Sequence, residues 1–235
     1  MRRTIHIILI LAIVVAGIRL AWILHERHQD ARQTAKQQAM PLNPDYYVTP
    51  KKLYPYDLKS ARQLTQQPVW VKVGYAYPYY SYDPASRKAN LENEAGKLLP
   101  LQKLEIKDVV LGPVPGSTNK KQVLAVFQEG GKPYMTPVGT EEAGDYKFFA
   151  NDMLFIEDPH DLYNHWPTEV WREIDQHQAK PGMSELQTDF SLGIGFLESG
   201  SDETDRILDY PNGGTPLRVS FHNGKAIQVE PGPKN

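Results

Sequence analysis

The chain contains no cysteine among its 235 residues. That excludes disulfide cross-links, thiol catalysis, Cys-ligated zinc and a lipid-modified N-terminal cysteine, so the core must hold the fold alone. An excess of positive charge is also missing. Lys and Arg number 26 against 28 Asp and Glu, a net charge of −2, and no Lys/Arg-rich stripe occurs. A nucleic-acid partner needs a basic face to displace counterions from phosphates, so none is expected. Phosphate-loop, Gly-x-Ser-x-Gly and His-Glu-x-x-His patterns are absent as well. The glycines of Leu192-Gly193-Ile194-Gly195-Phe196 follow a helical pattern rather than a strand, so they make no dinucleotide site. No catalytic residue and no cofactor is expected, and the chain reads as non-enzymatic.

What is present begins with one long apolar run. Arg2 and Arg3 precede Ile5 to Ile18, and after Arg19 the apolar character resumes through Leu24. That is about the ~20 residues that cross a bilayer as a helix. The basic flank places the amino terminus in the cytoplasm. The expectation is a transmembrane or signal-anchor helix over residues 1–24, touching the lipid bilayer through residues 5–24. The rest of this single-pass inner-membrane protein would be extracytoplasmic (periplasmic). A cleaved signal peptide with Val14-Val15-Ala16 as its small-residue site is the alternative, and it leaves the mature chain periplasmic or secreted. Residues 25–45 are polar and rich in Gln, Ala and Arg, the composition of a spacer.

Residues 46–162 have strand chemistry. Val69 to Val73 and Leu101 to Leu111 alternate, and Val123 to Phe127 and Tyr134 to Val138 flank Gly130-Gly131 as a hairpin. Five or so short strands separated by polar loops fit a small barrel or sandwich. With the stretch Gly96 to Leu101 entering a strand after a long loop, this region resembles a bacterial SH3-like barrel. Within it lies a tyrosine cluster: Tyr75, Tyr77, Tyr79, Tyr80 and Tyr82. The first three alternate and share one face of an extended segment, where aromatic rings bind Pro-rich peptides or sugar rings. The competing reading is that one row packs in the core.

Asp158, His160, Asp161 and His165 are the one dense group of metal-capable residues. Asp161 and His165, at i and i+4, would share a helix face. A metal-dependent hydrolase is the rival function on that basis. Against it, Asp158-Pro159 is also an ordinary helix start, an N-cap side chain followed by proline.

Residues 163–235 carry the clearest pattern. One helix starts near Pro167, with Trp166, Val170 and Ile174 on its apolar face. Ser184 to Gln187 is a capping box for a second, and Arg206 to Tyr210, Leu217 to His222 and Ala226 to Val229 read as strands. Asn223-Gly224 is a hairpin turn. On Gly182-Met183-Ser184 with Gln187, Leu192-Gly193, Tyr210 and Leu217 to Phe221 followed by Gly224-Lys225, this part resembles the SmpA/OmlA (BamE-like) domain of envelope proteins. That resemblance implies a protein-interaction module associated with outer-membrane assembly. Such proteins are typically lipid-anchored through a cysteine, which this chain lacks.

The expected fold class is therefore α+β: a transmembrane helix, an SH3-like barrel, and two helices packed on a three-stranded antiparallel meander. The expected function is membrane-anchored scaffolding of envelope proteins. Binding of cell-wall glycan or peptide by the β domain is the alternative.

Overall fold

The structure, a computed structural model, describes residues 17–27, 43–74, 76–86, 88–200, 202 and 204–233. Two compact units are distinguished, Met1–Tyr47 and Val48–Asn235. In the first, residues 17–27 form helix α1, exposed throughout, and Pro44–Tyr47 form a 3-10 turn.

The transmembrane expectation is corrected here. Among the described residues no helix is long and apolar enough to cross a membrane. The described part of α1 is eleven residues; at 1.5 Å per residue it rises about 16 Å, roughly half a hydrocarbon core. It also carries Arg19, Glu26 and Arg27. Residues 1–16 of the expected helix, and 28–42 of the spacer, lie outside the described residues.

The second unit is built on three antiparallel sheets. A small one runs β4 (Lys103–Leu104), β1 (Val69–Val71), β9 (Leu154–Phe155). The largest runs β3 (Lys88–Lys97), β2 (Pro78–Asp83), β7 (Lys132–Glu142), β6 (Lys120–Glu129), β5 (Asp108–Pro113), with β8 (Asp145–Phe148) paired to the far part of β7. Gly130 and Gly131, at φ +56° and +76°, join β6 to β7, the left-handed pair that a tight two-residue hairpin requires. Val123 to Phe127 are buried without interruption because both faces of β6 are covered. Val123, Ala125 and Phe127 enter the main core, while Leu124 and Val126 join a smaller cluster with Met135.

Short helices α2 (Leu58–Ala61), α3 (Ala150–Met153) and α4 (Pro159–Leu162) punctuate this part. Two longer ones follow, α5 (Thr168–Asp175) and α6 (Glu185–Leu192). The Ser184 hydroxyl accepts from the Gln187 N–H, and the Gln187 amide oxygen accepts from the Ser184 N–H at 2.8 Å, which starts α6 at a defined residue. The third sheet is a meander, β10 (Phe196–Leu197), β11 (Asp205–Tyr210), β12 (Leu217–His222), β13 (Lys225–Pro231). An aromatic cluster holds α5 and α6 to the small sheet: Phe155 of β9 packs with Tyr163, Trp166, Trp171 and Phe190. Phe190 meets Tyr163 and Trp166 edge-to-face at 5.0 and 5.1 Å, a preferred geometry for aromatic quadrupoles.

The molecule is thus a mixed α/β protein with three sheets and few helices, which corrects the expected fold class. The single barrel over 46–162 is replaced by two sheets. The run from Leu101 to Leu111 does not stay one strand: Leu101 sits at φ +57°, β4 pairs with β1 and β5 pairs with β6, so the two pieces belong to different sheets. The meander has four strands rather than three. Its extra strand β10 is two exposed residues long, too short to announce itself by alternation.

Candidate functional site

The molecule has a cleft of about 900 Å³, and two sets of segments face each other across it. One wall comes from the end of β1 with the residues after it (Val71, Lys72, Gly74, Ala76 and Tyr77) and from the end of β3 with the residues after it (Lys97 to Pro100). The other comes from His177, the end of α6 through Phe196, and the Pro211–Gly214 turn.

Each wall is fixed by main-chain hydrogen bonds. On the first, Leu98 N donates to Tyr77 O at 2.9 Å, Leu101 N to Val71 O at 2.9 Å, and Val71 N to Gln102 O at 3.0 Å. The Tyr77 hydroxyl donates to Asp152 O at 3.3 Å. Burial, helped by the Asp152 charge, pushes the Tyr77 phenol above its ordinary range. A side chain at Gly74 would begin 2.6 Å from that hydroxyl, so the close approach requires glycine.

On the second wall, α6 ends at Gly193, φ +92°, whose N–H donates to Asp189 O at 2.9 Å. His177 Nδ1 lies 2.9 Å from Ser191 O. A carbonyl only accepts, so Nδ1 carries the hydrogen. The Ser191 hydroxyl donates to Gln178 O at 2.9 Å. These bonds tie the end of α5 to the end of α6.

Behind this wall is a half-buried carboxyl, that of Asp189. The Tyr210 hydroxyl donates to Asp189 Oδ1 at 2.9 Å, and Gly195 N–H donates to the same side chain. Burial pushes Asp189 up to about 7, with Glu185 adding to the rise and Tyr210, Gly195 and Arg206 opposing it. A Cβ at Gly195 would stand 2.7 Å from the Tyr210 ring.

Among the described residues Lys72 and Lys97 are the charged side chains that line the cleft, with the Asp152 charge acting on Lys72 and Tyr77 from outside the lining. Neither lysine is ion-paired with a described carboxylate. Lys72 Nζ donates to Asn151 O at 2.6 Å and lies 4.9 Å from the Phe155 ring centre. Burial, with the Lys52 charge assisting and the Asp152 charge opposing, lowers its pKa. The remaining lining is mainly apolar, including Leu98, Leu99, Pro100, Ile194 and Phe196.

The residues singled out by sequence lie elsewhere, apart from Tyr77. Tyr77 and Tyr79 pack against the main core, and Tyr79 makes edge-to-face contacts with Phe127 and Tyr134. Tyr80 and Tyr82 pack on the opposite cluster with Leu124, Val126 and Met135. Tyr75 lies outside the described residues. Asp158 caps α4, its carboxylate accepting from His160 N at 2.9 Å. His160 then bridges Asp158 and Asp175, at 2.9 and 3.2 Å, and stacks on Trp171 with ring centres 4.1 Å apart. Those two carboxylates raise the His160 pKa against an opposing desolvation that is the largest single influence. His165 sits beside Tyr163 and Trp166, and Asp161 is in the first turn of α4. Among the described residues no group of three or more His, Cys, Asp or Glu could hold a metal.

The cleft itself was not visible in the sequence. Its walls are drawn from segments between Val71 and Gly214 with no shared motif. No family model, curated protein or solved structure matches the chain, so the site is read from its own geometry.

Proposed function

We propose that this chain is a non-enzymatic, extracytoplasmic interaction protein of the cell envelope, and that its partner docks in the cleft. The observation that carries this reading is the cleft, apolar and about 900 Å³. Its size suits a binding site. The rim exposes Leu99 and Phe196, 43% and 57% accessible, the kind of large apolar surface that marks contact sites. The envelope location rests on the basic and then apolar start of the sequence and on the BamE-like resemblance of residues 182–225.

Photo-crosslinking in intact cells tests it. A photoreactive residue at position 99 or 196 is expected to give a discrete adduct with an envelope protein. The same residue at the exposed position 228 on β13 is expected to give none. Equal labelling from all three positions, or none from the cleft, would remove the cleft from the function.

A second reading, contact with cell-wall glycan, is favoured by two other tyrosines. Tyr54 and Tyr56 are 81% and 78% accessible on a segment whose backbone is pinned to the domain.

A further inference from the structure

We infer that the second wall of the cleft is set by a proton: the neutral Asp189 carboxyl clamps the segments of that wall together, and its ionisation loosens them and reshapes the cleft. As a control on binding this rests on the interaction reading, but the switch itself needs no partner.

The geometry singles out Asp189. Apart from His177, the wall consists of the end of α6, the segment that follows it to Phe196, and the Pro211–Gly214 turn. All three meet at this residue. The Asp189 main-chain oxygen accepts from Gly193 N at 2.9 Å, where α6 ends. Its carboxyl accepts from the Gly195 N–H and, at 2.9 Å, from the Tyr210 hydroxyl. Tyr210 ends β11 directly before Pro211, and its ring stands 2.7 Å from where a Cβ on Gly195 would be. One carboxyl therefore joins the helix end, the glycine segment and the strand that carries the turn.

The same geometry makes a negative charge there costly. Asp189 lies in the last turn of α6, where the helix dipole already presents partial negative charge. Glu185 stands four residues earlier on the same helix face, a like-charged pair. β11 contributes two opposing groups, the Arg206 guanidinium and the Tyr210 hydroxyl, and the glycine segment contributes the Gly195 N–H. Arg206, however, is bonded to Glu185 at 3.0 Å, and Tyr210 is fully buried. Burial wins and pushes Asp189 up to about 7. Below that pH the neutral carboxyl keeps both bonds without a charge to hydrate. Above it the carboxylate needs water, which reaches it by parting the last turn of α6 from Tyr210 and Gly195.

The test uses the full-length protein labelled with 15N-glycine and followed by NMR from pH 5 to 8. Gly193, Gly195, Gly213 and Gly214 report on the wall, and Gly130 and Gly131 in the β6–β7 hairpin are the controls. The four wall signals are expected to shift together with one midpoint near pH 7, while the controls stay still. Asp189→Asn should abolish that shift. Tyr210→Phe removes a bond that favours the ionised form, so Gly195 should titrate at a higher midpoint while Gly213 and Gly214 no longer follow it. A shift confined to Gly195 would overturn the inference, because the charge would then not reach the wall. A midpoint that survives in Asp189→Asn would overturn it too and assign the titration to His177. If the four signals titrate together but positions 99 and 196 give no adduct, the interaction reading falls and the switch stands. Adducts without a common midpoint mean the reverse.

Discussion

Two tyrosine-rich stretches of the chain have opposite fates. In and just before β2, Tyr77 and Tyr79 pack on the main core, and Tyr80 and Tyr82 pack on the cluster behind the sheet. In residues 48–57, Tyr54 and Tyr56 stand in solvent. The residue type is the same and both segments are extended. What differs is cover. β2 lies between β3 and β7, with apolar clusters on both faces. The earlier segment has no strand beside it; Val48 and Leu53 pack on two different clusters, and nothing covers the Tyr54 and Tyr56 rings. Alternation tells which residues share a face, and only the neighbours decide whether that face is wet.

The largest expected effect breaks the covered side of this comparison. The Tyr79 ring lies against Phe127 and Tyr134 at 5.8 and 5.0 Å, and its tip fills the space a Cβ at Gly96 would take. Tyr79→Ala should therefore cost about 3 kcal/mol, the scale of a large-to-small change in a core. A urea unfolding curve would show it as a lower midpoint with unchanged slope. A midpoint within error of the parent protein would mean that Tyr79 is surface after all.

The next effect concerns what holds the exposed segment down. Asn151 reaches across from α3 and treats Leu53 as a strand partner would: its Oδ1 accepts from Leu53 N at 2.9 Å and its Nδ2 donates to Leu53 O. Lys51 N donates to Glu157 at 2.8 Å nearby. Asn151→Ala orphans both part-buried main-chain groups of Leu53, an expected loss of about 2 kcal/mol. Amide hydrogen exchange should localise the damage to residues 48–57. Uniform loss of protection across the large sheet would argue that the segment is no separate element.

How much of this was legible depends on whether the deciding interaction is local. The capping box at Ser184 and Gln187, the Asn223-Gly224 turn at φ +50° and +70°, and the Gly130-Gly131 hairpin are each set by residues within a few positions of one another. The sequence shows them directly. The break at Leu101, the assignment of β4 and β5 to different sheets, and the two-residue strand β10 depend on partners far along the chain. The cleft is an extreme case, since Gly193 and Pro100 approach only once three sheets are in place. The Asp158–His165 cluster shows the same limit from the other side. Its spacing permits a metal, but the fold spends Asp158 on a cap and His160 on Asp175 and Trp171.

Tyr210 supplies a third case for the comparison, a tyrosine fully buried with its hydroxyl on a carboxyl. Asp189 titrates near 7 in the folded protein, against 3.8 for the free group. The folded state therefore holds the proton more tightly than the unfolded chain. The stability this contributes is complete below about pH 4 and is lost as pH rises through about 7. Asp189→Asn keeps an acceptor for Tyr210 and Gly195 and removes the titration. Its Tm should gain on that of the parent as pH rises from 4 to 8, on the order of 2 kcal/mol or about 6 °C between pH 5 and pH 8 for a chain of this size. Parallel Tm curves from pH 5 to 8 would mean that Asp189 is ionised throughout.

The smallest effect is expected where the comparison is sharpest. Tyr54 and Tyr56 have little apolar contact to lose, so the double change Tyr54→Ala/Tyr56→Ala should alter stability by less than about 0.5 kcal/mol. That neutrality makes the pair useful. A fall in sedimentation with purified cell wall at unchanged stability would assign the exposed rings to glycan contact, because a flat ring offers a sugar face apolar area at small entropic cost. Tyr77→Ala/Tyr79→Ala cannot give so clean a result, since any loss of binding there would come with loss of the core. Unchanged sedimentation in the Tyr54/Tyr56 variant would leave the exposed pair without a role in wall binding and leave the cleft as the one contact surface proposed.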